Sequence, residues 1–308
     1  MATSAIINLS SGHSGFSKIY GLTILERTLQ ALNRAEVEKV FVISGNEEKE
    51  VVNLLKKTQF LNAFQVENST LKNALSEIKT PIIYIFRPLV IDPNILKEMQ
   101  TEGTDSDVPV LTENQEVIFI SNPKHIPSES DFSNLKLWAE KDQFPKRIKS
   151  TENRVFGVVS DKNSKREIEK KLIKSLIKPT DGWVSKNLNR PISISISRVL
   201  AHTSVTPNQF TVFTGLIGLA TGYFFTLGGY WNYMIGGLLF HLTSVFDGVD
   251  GELARLKFKS SPFGQWLDTL VDNLSYVAAL AGIVYGVYVH GASDFVKISG
   301  ILAVVFAV

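Results

Sequence analysis

Cysteine is absent from this chain of 308 residues, which excludes disulfides, thiolate metal sites and cysteine nucleophiles. Charge is also absent over one long stretch: no Asp, Glu, Lys or Arg occurs from Val205 to Phe246. Soluble helices rarely run so far without a charged face, so a buried hairpin of a large soluble core is disfavoured against two membrane spans of roughly 20 residues each. Gly228-Gly229-Tyr230-Trp231-Asn232-Tyr233 supplies a turn with interfacial aromatics between them. The N-terminus, Met1 to Ser10, lacks a basic region followed by an apolar one, so no secretory signal is expected and the first domain is expected in the cytosol. A net charge of +2 carries no information about partners, and no nucleic acid is expected among them.

What is present divides the chain. Residues 1–160 alternate short apolar runs with helical stretches. Strands are expected at Ala5–Leu9, Val40–Ser44, Pro81–Phe86, Asp107–Leu111, Val117–Ser121 and Arg154–Val159. Helices are expected near Thr23–Asn33, Glu47–Lys56, Leu71–Ile78 and Pro93–Met99. Such alternation predicts an α/β domain with a largely parallel sheet covered on both faces. Residues 161–204 read as a connector: a charged amphipathic helix over Lys162–Ser175, then a basic and aromatic segment, Lys178–Arg198, suited to lying at a membrane surface. Residues 205–308 read as an all-α transmembrane domain. Its third span runs from about Phe263 to His290, with Ser261 as N-cap and Pro262 at the first helical position. A fourth begins near Phe295, and the roughly 14 residues left to it are short of the roughly 20 needed to cross, so the chain is expected to stop in mid-span.

Arg190 and Arg198 precede the first span, and Arg255, Lys257 and Lys259 lie between the second and third, whereas the opposite loops have no basic residue. The positive-inside rule places the basic side, and the N-terminal domain with it, in the cytoplasm.

Four carboxylates stand where the second and third spans meet that side. Asp247, Asp250 and Ala254 fall at i, i+3 and i+7, with Gly251 beside them; Gly264, Asp268 and Asp272 fall at i, i+4 and i+8. Each set occupies one helical face. An ionised carboxylate deep in a bilayer costs about 2.5 to 3.5 kcal/mol, and Arg255 alone cannot balance four. Hard divalent cations with oxygen ligands can, and Mg²⁺ characteristically bridges a few carboxylates to substrate phosphates. A solvated acidic helix face is the bland alternative, disfavoured by the fixed order of the glycines, Ala254 and Arg255.

These residues match in full the pattern D-x2-D-G-x2-A-R-x8-G-x3-D-x3-D, and the chain thereby resembles the CDP-alcohol phosphotransferase family. The resemblance implies that Asp247, Asp250 and Asp268 ligate Mg²⁺ or Mn²⁺, and that Asp272 lies at the metal site and is the catalytic base. It also implies that Gly251, Ala254, Arg255 and Gly264 lie beside bound CDP. A P-N-x2-T element opening the first span is matched by Pro207, Asn208 and Thr211, which puts Asn208 and Thr211 among the expected nucleotide contacts. The implied reaction moves a phosphoalcohol group from a CDP-alcohol donor to a polar or lipid alcohol hydroxyl with release of CMP. The implied setting is a six-span membrane homodimer surrounded by lipid, of which the last spans lie beyond this chain.

Ile6 to Arg27, with Gly12, Gly15 and Lys18, resembles the opening strand, loop and helix of nucleotidyltransferases. Where that family places a metal-binding acid after its strand, this chain has Arg87, so the domain is expected to be a degenerate cytidylyltransferase-like module that scaffolds or regulates. Its fusion to the membrane module looks like the bifunctional inositol-phosphate cytidylyltransferase and di-inositol-phosphate phosphate synthases. An inositol-type head, or CDP-diacylglycerol with a polar acceptor, are the substrates this suggests. Two rival classes remain at this point. A UbiA-like magnesium prenyltransferase would release pyrophosphate rather than CMP; a non-enzymatic cation transporter would release neither and would pass metal without Arg255.

Overall fold

The computed structural model describes residues 3–9, 15–44, 48–57, 65–78, 81–106, 109–112, 116–122, 146–148, 154–177 and 182–290. The expected phosphate loop at Ser10–Ser14, the Lys178–Asp181 run and the fourth span fall outside them. The chain divides into two units, Met1–Ser175 and Leu176–Val308.

The first unit is built on a sheet of strands β1 (Ser4–Asn8), β4 (Lys39–Ile43), β5 (Gln65–Asn68), β6 (Ile82–Ile85), β8 (Val110–Thr112), β9 (Val117–Ile120) and β10 (Lys146–Ile148), in the order β10-β8-β9-β6-β1-β4-β5. Only β9 runs antiparallel to its neighbours, β6 and β8. Alternate residues of each strand feed opposite faces, as a period of two requires. Ile7, Val42, Ile85 and Phe119 join one core with α1 (Ile24–Arg34) and α4 (Pro93–Ser106), while Ile6, Phe41, Tyr84 and Ile118 join another with α3 (Leu71–Glu77). The expected two-sided, largely parallel α/β sheet is what forms. Helix α2 is Glu48–Lys57.

Two short pairings modify the plan. Strands β2 (Lys18–Ile19) and β3 (Leu22–Thr23) make a hairpin over Tyr20 and Gly21, both at positive φ (48° and 81°), the twist such two-residue loops need. Arg27 reaches back from α1 and donates to the Ile19 carbonyl at 3.2 Å (Nε) and 2.8 Å (Nη2); burial pulls its pKa down to about 10. The strand expected over Arg154–Val159 shrinks to β11 (Phe156–Gly157), which pairs with β7 (Val90–Ile91) outside the main sheet. Helix α5 (Lys162–Lys174) covers it closely: a Cβ on Gly157 would lie 2.9 Å from Ile168. Arg87, at the end of β6, is held by Glu116, its Nε donating to Oε2 at 2.9 Å.

In the second unit a π-helical turn, Ser185–Asn189, runs into α6 (Arg190–Ala201), followed by α7 (Pro207–Thr226), α8 (Tyr230–Leu256) and α9 (Pro262–Val289). Helix α7 opens on a capping box, with Thr206 N donating to Gln209 Oε1 at 2.9 Å and Gln209 N to Thr206 Oγ1 at 3.3 Å. It ends at the glycine pair Gly228 and Gly229, φ +63° and +78°, a backbone only glycine adopts cheaply. The break is thus narrower than the expected Gly228–Tyr233 turn, and the aromatics already belong to α8.

Helix α7 packs against both α8 and α9. Its contact with α9 is backbone to backbone: a Cβ on Gly222 would lie 2.6 Å from the Ala278 carbonyl oxygen, and one on Gly282 would lie 2.3 Å from that of Gly222. Small residues at such a seam are what apolar surroundings favour, since helices there associate by close van der Waals fit. Large apolar side chains face outward instead, among them Leu216, Leu219, Leu238 and Leu274, with Tyr230, Trp231, Trp266 and Tyr288 also exposed. Among the described residues one helix, α9, is long and apolar enough to cross a membrane. Asn208 and Gln209 in α7, and Asn232, His241 and the aspartate segment in α8, dilute the hydropathy of the other two expected spans.

Candidate active site

The aspartates are carried by the last three turns of α8 and the first half of α9. Helix α8 runs without interruption through Asp247 and Asp250 to Leu256. It then stops in a Schellman turn: Lys259 N donates to the Ala254 carbonyl at 2.9 Å, Phe258 N to that of Arg255 at 3.4 Å, and Phe258 takes the left-handed conformation, φ +53°. A non-glycine residue there stores on the order of 1 kcal/mol of strain or more. Three residues later Ser261 caps α9, accepting from Gly264 N at 3.0 Å, with Pro262 following as the sequence predicts. This tight connection turns the chain back so that α9 starts beside the end of α8.

Carboxylate oxygens of Asp247, Asp250 and Asp268 all lie within 4.8 Å of one another, with Asp250 buried, Asp268 half-buried and Asp247 exposed. At an effective dielectric near 20, like charges this close repel by about 3 kcal/mol per pair. Oxygen ligands around one Mg²⁺ at about 2.1 Å stand roughly 3 to 4 Å apart, so small side-chain rotations bring three such oxygens onto one cation. The donor set, all hard carboxylate oxygen with no nitrogen or sulfur, fits a divalent metal of that class. Asp272 lies one turn further along α9, outside this group of three.

Asp250 is fixed by its neighbours. The hydroxyl of Thr211, itself buried, donates to Asp250 Oδ2 and also to the Pro207 carbonyl at 3.2 Å. Thr211, expected as a nucleotide contact, is therefore spent largely on the carboxylate.

Two cavities flank the cluster. The larger, about 350 Å³, is lined by Pro207, Asn208, Thr211, Asp250, Gly251 and Ala254, and by Arg255, Lys259 and Gly264 up to Asp268. Every residue expected beside a nucleotide thus borders one space, at the end of the helices where α8 turns into α9. Gly251 opens directly onto it, with nothing within 4 Å of a Cβ built there, whereas a Cβ on Gly264 would come 3.0 Å from Asn208 Oδ1. Arg255 donates to the Gly251 carbonyl and the Leu176 carbonyl, each at 3.2 Å. The smaller cavity, about 100 Å³, lies further along both helices between Phe240, Thr243, Ser244, Asp247, Asp272 and Tyr276.

Several side chains that the motif does not include hold α8 in place. Glu252 is completely buried and accepts from Arg190 Nη1 at 2.8 Å, Ser193 Oγ at 2.8 Å and Ser197 Oγ at 2.7 Å, all on α6. Lys257 donates through Nζ to the carbonyls of Leu200 (3.2 Å), Thr203 (2.8 Å) and Val205 (2.7 Å), capping the other end of α6. The available signal was the polar stripe Arg190, Ser193, Ser197 at i, i+3 and i+7, which marks one face of a helix otherwise suited to a membrane surface.

A sequence model of the CDP-alcohol phosphatidyltransferase family matches residues 204–308, the stretch that holds all the residues just described on α7, α8 and α9. The bifunctional IPC transferase and DIPP synthase of Aquifex aeolicus is 41% identical over 117 residues, 37% of this chain and 26% of that protein. The archaetidylinositol phosphate synthase of Pyrococcus horikoshii is 36% identical over 105 residues, 34% of this chain and 54% of that protein. The match therefore spans about a quarter of the first relative's length and about half of the second's. The solved 4-diphosphocytidyl-2C-methyl-D-erythritol synthase of Anaerococcus prevotii aligns with 56% of this chain and 98% of its own at a TM-score of 0.39 and 13% identity. Members of the matched family are membrane-associated, depend on divalent metal, and use CDP-alcohol donors and alcohol acceptors. Residues 204–308 of the helical unit are thus similar to the CDP-alcohol phosphatidyltransferase family.

Proposed function

We propose that the chain transfers a phosphoalcohol group from a CDP-alcohol to an acceptor hydroxyl and releases CMP, at the cytoplasmic face of a membrane crossed by α7, α8 and α9. One observation carries the reading: Asp247, Asp250 and Asp268 converge at the edge of a cavity bordered by Asn208, Thr211, Gly251, Ala254, Arg255 and Gly264. Asp247, Asp250 and Asp268 would hold Mg²⁺ or Mn²⁺, with Asp272 beside them. When bound, such an ion neutralises diphosphate charge and stabilises the charge that develops on the departing phosphate.

The chain's own residues do the rest. Gly251 and Ala254 leave room for the nucleotide to approach the α8 backbone, and Arg255 and Lys259 offer positive charge to its phosphates. Asp272, on the wall of the smaller cavity, takes the proton of the acceptor hydroxyl. That oxygen attacks the phosphorus bearing the transferred alcohol; the phosphoanhydride bond breaks, and CMP leaves with the electron pair. An inositol-bearing head, on donor or acceptor, is the substrate class favoured by the similarity to an archaetidylinositol phosphate synthase. The N-terminal unit acts as a scaffold, since Arg87 stands in an ion pair with Glu116 where the nucleotidyltransferase likeness calls for a metal-binding acid. Association as a homodimer within lipid belongs to the same proposal. The test is a panel of CDP-linked donors and polyol acceptors supplied to the full chain with Mg²⁺. CMP formation that needs both substrates is the expected result, whereas pyrophosphate release, or metal flux without CMP, would refute the reading.

A further inference from the structure

The geometry points to Glu252 as a positioning residue that sets the roll of α8 and so decides whether Asp247 and Asp250 face Asp268; we infer this on top of the metal-site reading above. Successive helical residues are rotated by roughly 100°, so Glu252 projects about 160° away from Asp250 and about 140° away from Asp247. The helix is consequently held from opposite sides: Thr211 of α7 grips Asp250, and Arg190, Ser193 and Ser197 of α6 grip Glu252. Lys257, two turns past Asp250 and on the same face, adds a tie to the end of α6. The Glu252 cluster is what holds the opposite face, and ties on both faces fix the rotation of α8 about its axis.

A separate feature supports the same assignment. Gly248 lies one turn before Glu252 on the face toward α6, and a Cβ there would stand 3.2 Å from Arg190 Nη1 and 3.4 Å from Ser193 Oγ. The missing side chain lets α6 come close enough for its serines to reach a carboxylate. Complete burial of Glu252 makes the arrangement stringent, because a buried charge is tolerated only when its oxygens are matched by donors, and the three donors sit at one axial rotation of α8. The role of α6 therefore extends beyond resting on a membrane surface: it transmits its own position to the aspartates.

The experiment uses the full chain in detergent micelles and titrates Mn²⁺ against it by electron paramagnetic resonance, alongside thermal melting and steady-state CMP release. The variant Ser193→Ala/Ser197→Ala keeps the Arg190–Glu252 ion pair and touches no aspartate. Its Mn²⁺ affinity, measured well below the melting temperature, is expected to fall about 10-fold, the low end of what supporting groups around metal ligands contribute. Ser193→Thr/Ser197→Thr, which restores both hydroxyls, should recover it. If the alanine variant binds Mn²⁺ as tightly as the parent while melting earlier, Glu252 merely stabilises the fold and the inference is wrong. Where the double variant fails to fold, Ser193→Ala alone reads the same quantity. A parent protein that binds no Mn²⁺ would instead sink the metal-site reading itself, a result readily told apart from the first.

Discussion

At the scale of single residues, the aspartates differ in what surrounds them, and their substitutions should differ accordingly. Asp272→Asn should abolish CMP release yet retain Mn²⁺ and CDP binding, because Asp272 stands outside the group of three whose oxygens lie within 4.8 Å; an active Asp272→Asn protein would contradict its role as base. Asp250→Asn should lose metal binding as well, since it removes a central ligand. Thr211→Val deletes the hydroxyl that donates to Asp250, and steady-state kinetics should show kcat/KM lowered by about 10-fold or more. Gly251→Val fills open space in the larger cavity, so the KM for a CDP-alcohol should rise while Mn²⁺ affinity holds. That the ten expected residues would gather at one end of the helices could be read from spacing and motif, because helical periodicity places i, i+3, i+4 and i+7 on one face wherever the helix packs. Glu252 could not be picked out so easily: a lone acid on the far side of a helix is told from a solvated one only by knowing what packs there, and that is a tertiary fact.

At the scale of elements, the seam between α7 and α9 sets the distance from Asp268 to α8. Gly282→Val would place a Cβ 2.3 Å from the Gly222 carbonyl oxygen, and backbone cannot yield as a flexible side chain can. It should destabilise the helical unit by about 1 to 3 kcal/mol and weaken Mn²⁺ binding by pushing Asp268 outward; unchanged melting and binding would show that the seam adjusts freely. Element boundaries were legible where local chemistry fixes them. Ser261-Pro262 marks the start of α9, and Pro207 that of α7, because a capping oxygen and a fixed proline φ suit a helix N-terminus. The short strands β5 and β10 and the β2–β3 hairpin were not anticipated. Gln65–Asn68 and Lys146–Ile148 are polar or charged enough that their pairing depends on a neighbouring strand rather than on their own composition. The expected Arg154–Val159 strand erred the other way: Phe156–Gly157 pairs with β7 outside the main sheet, although Phe156 still joins the core beneath that sheet.

At the scale of the molecule, the lack of cysteine turns topology into a direct measurement. Single cysteines at Ser260 and at Tyr230 are exposed positions at opposite ends of α8; in sealed vesicles a membrane-impermeant maleimide should reach Ser260→Cys only from the cytoplasmic side and Tyr230→Cys only from the other. Labelling of both from one side would refute three crossings. Full-length protein given CTP and phosphoalcohols should make no CDP-alcohol, in keeping with the Arg87–Glu116 pair, and detection of that product would restore the N-terminal unit to catalysis. The two cavities have a consequence of their own. Asp250 and Asp268 border the larger, Asp247 and Asp272 the smaller, so the carboxylates form a partition between compartments. A molecule long enough to occupy both must lay the linkage between its halves across that partition, while one that fits wholly on either side never presents a bond there; under the proposed transfer, reach, more than affinity for any single group, would select the substrate.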